Sequence, residues 1–199
     1  MSQARTKDGI GKGVRVHVAA FGKHPGWDDH IEEIGLDTSM LVNAKRLLYT
    51  ECIGGCIDSG EWEKLDEDRR IPFRHQFYWR TPEGLLIGRM WASRDGKGRT
   101  KYPMVVCAVI HGVPDSWAVE QVLPRLAVVE EKCGQTSSAE LVRLAIGECR
   151  SSLEAAAAAY DGSPGESPAQ RLSRLVQSPE LSANNGEGLK RVLYEMSRE

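Results

Sequence analysis

His24, Asp28, Asp29 and His30 fall within seven residues and are the one cluster in the sequence with metal-ligand chemistry. Imidazole and carboxylate ligands suit zinc, iron or manganese, and a loop can fold such groups around one ion. Against this, Pro25-Gly26-Trp27 reads as a rigid turn presenting an aromatic, and short motifs of this kind often match by accident. The expectation is therefore no bound metal, no cofactor and no catalytic residue. Cys52 and Cys56, four apart, would share a helix face where two thiolates could begin a metal site. No second pair lies in range, so packing is the expected role of both. The segment Ser93-Arg94-Asp95-Gly96-Lys97-Gly98-Arg99 sets three cations around two glycines in a turn. Guanidinium groups and backbone amides can converge there on an anion or a partner. Opposite charge predicts that Asp28 or Asp29 reaches Arg94, Lys97 or Arg99, while Arg94 and Arg99 stay largely solvated.

Signatures of catalysis are missing. The sequence has no G-x-S-x-G elbow, no H-E-x-x-H, no Walker-type phosphate loop and no EF-hand loop. Gly9-x-Gly11-x-Gly13 precedes a strand instead of joining a strand to a helix, the wrong side for cradling phosphate. With 26 Lys and Arg against 28 Asp and Glu, the net charge of −2 supplies no footprint for nucleic acid. The longest apolar run, Met104 to Ile110, is far short of the ~20 residues a spanning helix needs. Residues 1–13 read as a flexible polar leader without a secretory signal. An odd number of cysteines with no C-x-x-C pair points to a reducing cytoplasm.

The elements that must position these loops follow from periodicity. Val14–Phe21, His75–Thr81, Leu85–Arg94 and Tyr102–His111 read as strands, the middle pair joined at Pro82-Glu83-Gly84. The last three form a meander, and Val14–Phe21 joins the same sheet. Leu41, Ala44, Leu48 and Cys52 recur at helical spacing after an N-cap at Asp37 or Thr38, with Gly54-Gly55 interrupting and a second piece running to Leu65. The charged run Glu61–Arg70 reads as solvated surface. Asp115 caps a helix that buries Trp117, Val122, Leu123, Leu126 and Val129 and is kinked or broken at Pro124. A capping box at Ser137 and Glu140 opens a long helix with Leu141, Leu144, Ala145 and Cys149 inward. A short helix from Ser167 and an amphipathic one carrying Leu189, Val192, Leu193 and Met196 end the chain. The fold class is α+β: a mostly antiparallel sheet of four or more strands flanked by helices. Residues 14–160 form one domain, and 161–199 form a helical extension packed on it. Its core draws on Val16, Val18, Leu48, Phe77, Trp79 and Leu86, then Ile87, Met90, Val105, Cys107 and Val109. Trp117, Leu123, Leu126, Leu141 and Leu144 complete it from the helices.

Phe21-Gly22-Lys23-His24-Pro25-Gly26-Trp27-Asp28-Asp29 resembles the "FGKLP…GDF" opening of the TagF (ImpM) proteins associated with type VI secretion. Ala92 to Met104 is similar to that family's "PSxDxxGRxFPL" segment, sharing Ser93, Asp95, Gly98, Arg99, Pro103 and an aromatic at Tyr102. The likeness covers residues 15–135 and marks a divergent member. The family's Gly-Asp-Phe becomes Trp27-Asp28-Asp29, and two residues instead of one separate Arg99 from Tyr102. The resemblance implies that 14–160 corresponds to the TagF N-terminal domain. It also implies a regulator without chemistry of its own, engaging a forkhead-associated scaffold protein of the secretion machine.

The functional expectation is a cytoplasmic, non-enzymatic adaptor that binds another protein and neither nucleic acid nor membrane. Its contact residues are expected at Lys23, Pro25, Gly26, Trp27, Asp28 and Asp29 on one loop. The second loop contributes Ser93, Arg94, Asp95, Lys97, Gly98, Arg99, Tyr102 and Pro103. The alternative is a small metal- or phosphate-dependent hydrolase using His24, Asp28, Asp29 and His30 with Arg94 or Arg99.

Overall fold

The computed structural model describes residues 14–64, 73–81 and 84–160. The leader, the Pro82-Glu83 turn, the end of the charged run and the whole 161–199 extension lie outside the described residues. Four strands, β1 (Arg15–Gly22), β2 (Arg74–Thr81), β3 (Gly84–Trp91) and β4 (Met104–His111), form one sheet in the order β1-β4-β3-β2. Every neighbouring pair is antiparallel. The meander β2-β3-β4 and the first strand's place in the same sheet agree with the sequence reading, and the structure sets that strand beside β4. Strand ends differ: β3 stops at Trp91, so Ser93 and Arg94 belong to the following loop, and β4 starts only at Met104.

Helices cover both faces of this sheet. On one side lie α3 (Asp115–Gly134) and α4 (Ala139–Ala158), packed over β3, β4 and β1. The other carries α1 (Ser39–Ala44), a π-helical stretch Lys45–Gly54 and a last turn α2 (Gly55–Asp58). Burial on both faces explains why β4 reads as an unbroken apolar run, since neither set of its alternating side chains meets water. Val106, Ala108 and Ile110 join the α3–α4 core, whereas Val105, Cys107 and Val109 join the core beneath α1.

Helix details depart from the expectations in instructive ways. Thr38 is the N-cap of α1, its hydroxyl accepting from the Leu41 amide at 3.2 Å. Gly54-Gly55 does not interrupt the helix. The wider π turn carries the chain through it and brings Tyr49 inward beside Leu48. This leaves Cys52 half-buried and Cys56 exposed, so neither is the packing residue expected; all five cysteines are thiols. Asp115 is the first residue of α3 and Pro114 occupies the cap, with no side-chain cap bond. Asp115 instead pairs with Arg80. Pro124 does not break α3, which is continuous to Gly134. Trp79, Trp117 and Leu123 only border the core.

The largest correction is the face of α4. Ser138, not Ser137, is its N-cap, and its hydroxyl accepts from the Leu141 amide. Val142, Ala145, Ile146, Cys149 and Leu153 point inward, while Leu141 and Leu144 are 52% and 53% exposed. Among the described residues no helix is long and apolar enough to cross a membrane. The exposed pair predicts small stability losses for Leu141→Ala and Leu144→Ala, each within about 0.5 kcal/mol. Leu153→Ala, at a fully buried position, should cost roughly 2–5 kcal/mol by leaving a cavity. Urea denaturation of the three variants measures this; equal losses would mean the face of α4 is misassigned.

Candidate functional site

Both marked loops leave the same end of the sheet, and a buried ion pair joins them. Gly22, at φ +114°, ends β1 in a conformation that side chains rarely adopt, and a Cβ there would lie 2.2 Å from the Pro103 carbonyl oxygen. The turn this permits aims Lys23 inward. Its amide donates to the Pro103 carbonyl, and its Nζ donates to Asp95 Oδ2 at 2.7 Å. Lys23 is 4% exposed and Asp95 1%. Charges this deep require full hydrogen bonding. Asp95 receives it: Oδ1 accepts from the amides of Lys97 and Arg99, and Oδ2 accepts also from Arg99 Nε at 2.7 Å. The first of these amide bonds is an Asx turn, closed by Gly98 at φ +79°. Desolvation works to raise the Asp95 pKa, but the hydrogen bonds from Lys23 and Arg99 outweigh it and hold the carboxyl well below its usual range.

Arg99 extends the link. Its Nη2 donates to the Asp28 carbonyl at 2.9 Å and lies 3.1 Å from Asp29 Oδ1. An Asp of the first loop thus reaches a cation of the second, as expected from their charges. Lys23 also lies 3.4 Å from Asp29 Oδ1. Desolvation opposes ionisation of Asp29, yet Arg99 and then Lys23 bring its pKa below the ordinary value. The Gly96 amide donates to the Trp27 carbonyl at 2.6 Å and completes the junction. Two cations and two carboxylates cancel here. Arg99 is therefore framework as well as surface, which corrects the expectation that it is merely solvated.

The histidine cluster does not converge. His24 is 1% exposed. Its Nδ1 accepts from the Gly26 amide, which fixes the proton on Nε2; that nitrogen donates to the Cys133 carbonyl in the last turn of α3. Both ring nitrogens are thereby occupied, and the ring also packs edge-on against Trp27. Desolvation lowers the His24 pKa, the Cys133 carbonyl only partly offsetting it. His30 lies apart, its Nδ1 3.2 Å from Asp29 and its ring against Tyr49 and Tyr102. Among the described residues no group of three His, Cys, Asp or Glu is placed to hold a metal.

The other expected contact residues divide by burial. Pro103 is buried, and Tyr102 is half-buried, donating to Asp58 at 2.8 Å beneath the Lys23 ammonium. Gly26 abuts the first residue of α4, and Trp27 lies under the Arg143 guanidinium. Asp28, Arg94 and Lys97 are exposed, while Pro25 and Ser93 are half-buried. Sequence reasoning missed a groove of about 600 Å³ beside these loops. Ser93, Arg94 and Thr100 form one wall, and Gln135, Thr136 and Ser137 of the α3–α4 turn form the other. Cys133 lies at this groove, but burial pushes its thiol up to about 11, which leaves it un-ionised. No protein-family model matches the chain, and no curated protein matches it.

Two predictions follow from this geometry. Lys23→Met should destabilise the protein sharply, because it strands a buried carboxylate, and adding Asp95→Asn should recover part of the loss. Arg94→Ala should stay within about 0.5 kcal/mol of the parent; a double variant no better than Lys23→Met in urea denaturation would remove the pair from its central place. The second concerns pH. His24, His30 and His75 all have folded-state pKa values below the ordinary 6.5. As pH falls the unfolded chain takes up protons first, so this stability is complete above about 6.5 and declines toward the folded pKa values. The melting temperature should therefore fall from about pH 7 to about pH 5, and His24→Gln should flatten that slope. A slope unchanged in His24→Gln would mean His24 is not held neutral.

Proposed function

We propose that this protein is a regulatory adaptor of a type VI secretion machine, acting in the cytoplasm by binding another protein of that machine. One observation carries the reading: the buried Lys23–Asp95 pair and Arg99 lock the two loops into one rigid face. That face exposes Asp28, Arg94 and Lys97 beside an open groove. Loops fixed on a rigid sheet are common binding platforms. The same two loops are the segments that resemble the TagF family, which is the support for the secretion role and for a forkhead-associated scaffold as partner. A hydrolase built on His24, Asp28, Asp29 and His30 is disfavoured, since both nitrogens of His24 face protein partners away from the carboxylates.

The test is photo-crosslinking in the native cell, with benzoylphenylalanine replacing Lys97 or Asp28 and, as a control, Val128 on the exposed side of α3. The expected outcome is one discrete adduct from Lys97 and Asp28, identified by mass spectrometry as a component of the secretion machine, and none from Val128. No adduct from the loops, or equal adducts from all three positions, would sink the adaptor reading. An adduct with an unrelated protein would keep the adaptor and remove the secretion role.

A further inference from the structure

The groove between the second loop and the α3–α4 turn has a composition that the adaptor reading alone does not explain. Among the described residues its lining includes no Asp or Glu, and Arg94 is its one permanent charge. His24, at the groove, is neutral with both nitrogens engaged. Ser93, Thr100, Gln135, Thr136 and Ser137 line the groove together with Arg94, over a floor that includes Trp91 and Cys133. In a chain with net charge −2 this pairs one cation with five polar, uncharged neighbours. Arg99, Arg89, Arg143 and Arg150 are each paired with a carboxylate. Arg94, in contrast, has no hydrogen bond or ion pair among the described residues. Asp95, the nearest acid in sequence, is already matched by Lys23 and Arg99 and does not compete for it.

Size distinguishes the classes of anion that could bind. A groove of about 600 Å³ lies within the size range of sites that hold molecules of many atoms. A lone phosphate or carboxylate would fill little of it and leave both walls wet. An extended peptide several residues long fills such a groove, and its backbone amides and carbonyls match walls lined with hydroxyls and an amide, which both donate and accept.

We propose that this groove binds an acidic, extended segment of the partner protein, with a carboxylate side chain seated on Arg94 and the segment's backbone bonded to the hydroxyls of the two walls. The proposal rests on the adaptor reading and names the chemistry of the partner. Because Arg94 is exposed and unpaired among the described residues, its replacement leaves their fold intact and isolates the binding contribution. The second loop is tied to the first by the Lys23–Asp95 pair and the first loop to the end of α3 by the His24–Cys133 bond, so the groove exists before the ligand arrives.

The experiment follows backbone amides of the full-length ¹⁵N-labelled protein by NMR during titration with a blocked hexaglutamate peptide. Blocked hexaglutamine and inorganic phosphate are the comparison probes. Saturable shifts are expected at Ser93, Thr100, Gln135 and Thr136 with hexaglutamate and not with hexaglutamine. Arg94→Glu should weaken binding by at least about tenfold, the scale of one lost hydrogen bond to a charged group. Lys64→Glu, the same charge change outside the groove, should leave affinity within about twofold. The proposal is overturned if no saturable shift occurs, if both variants weaken binding equally, or if hexaglutamine binds as well. It is overturned too if phosphate reproduces the shifts at the same concentration, which would make this a small-anion site. Loss of peptide binding with the Lys97 and Asp28 adducts retained would remove the groove assignment alone. Peptide binding with those adducts absent would remove the adaptor reading.

Discussion

Lys23 and Asp95 are 72 residues apart in sequence and meet at 2.7 Å in the interior, and the arrangement of both loops depends on that contact. Burying two opposite charges is favourable only when geometry and extra hydrogen bonds offset the loss of water. Asp95 meets the condition with four donors, two of them backbone amides in its own turn. The pair therefore fixes more than itself. It needs the Asx turn at Asp95–Arg99, the left-handed Gly22 that aims Lys23 inward, and Arg99 stretched across to Asp28 and Asp29. Removing any one leaves a buried charge short of partners. Registering two distant loops is a use for which buried polar groups are well suited, since few alternative arrangements satisfy them.

A second constraint acts at the opposite side of the first loop. The last carbonyls of a helix lack intrahelical donors, and His24 supplies one to Cys133 of α3. Gly26 lies against the start of α4. The loop that begins with Lys23 is thus pinned to the second loop by charge and to the helix junction by a neutral imidazole. The groove is the gap left between these two attachments. Its shape follows from them and from Trp91 and Cys133, core residues that also line it.

How much of this was legible in the sequence depends on the range of the signal. Strands announced themselves through alternation and turn residues, and the continuous run Met104–Ile110 fell inside one of them. The Asp–Arg contact between loops was readable because charges of opposite sign stood in two glycine-punctuated turns. The face of α4 was not readable. Leu141 and Leu144 compete with Val142 and Ile146 for the same helical period, and only docking against β1 and α3 chooses between the two stripes. The π-helical turns were equally hidden: the rings that Tyr49 meets there, Phe21, His30 and Tyr102, are distant in sequence. His24 misled for a related reason. Two acids, Asp28 and Asp29, follow it closely in sequence, whereas its partner is a backbone carbonyl 109 residues away, which leaves no trace in residue type.

The charges of the two loops sort into a compensated set and an available set, and the sorting bears on what the family resemblance means. Lys23, Asp29, Asp95 and Arg99 neutralise one another. Arg94 and Lys97 have no side-chain partner among the described residues. Set against the pattern "PSxDxxGRxFPL", Asp95, Gly98, Arg99 and Pro103 occupy its specified positions. Each has an identified structural duty: the buried carboxylate, the left-handed turn, the bridge between loops, and the carbonyl that receives the Lys23 amide. Arg94 and Lys97 occupy its unspecified positions. In this chain these positions are framework: they build one rigid face from two loops. Under the adaptor reading, the choice of partner falls to the side chains the pattern leaves open. Arg94 has a fixed backbone position on such a face but makes no side-chain hydrogen bond or ion pair among the described residues, so it can contribute to affinity while contributing almost nothing to the fold.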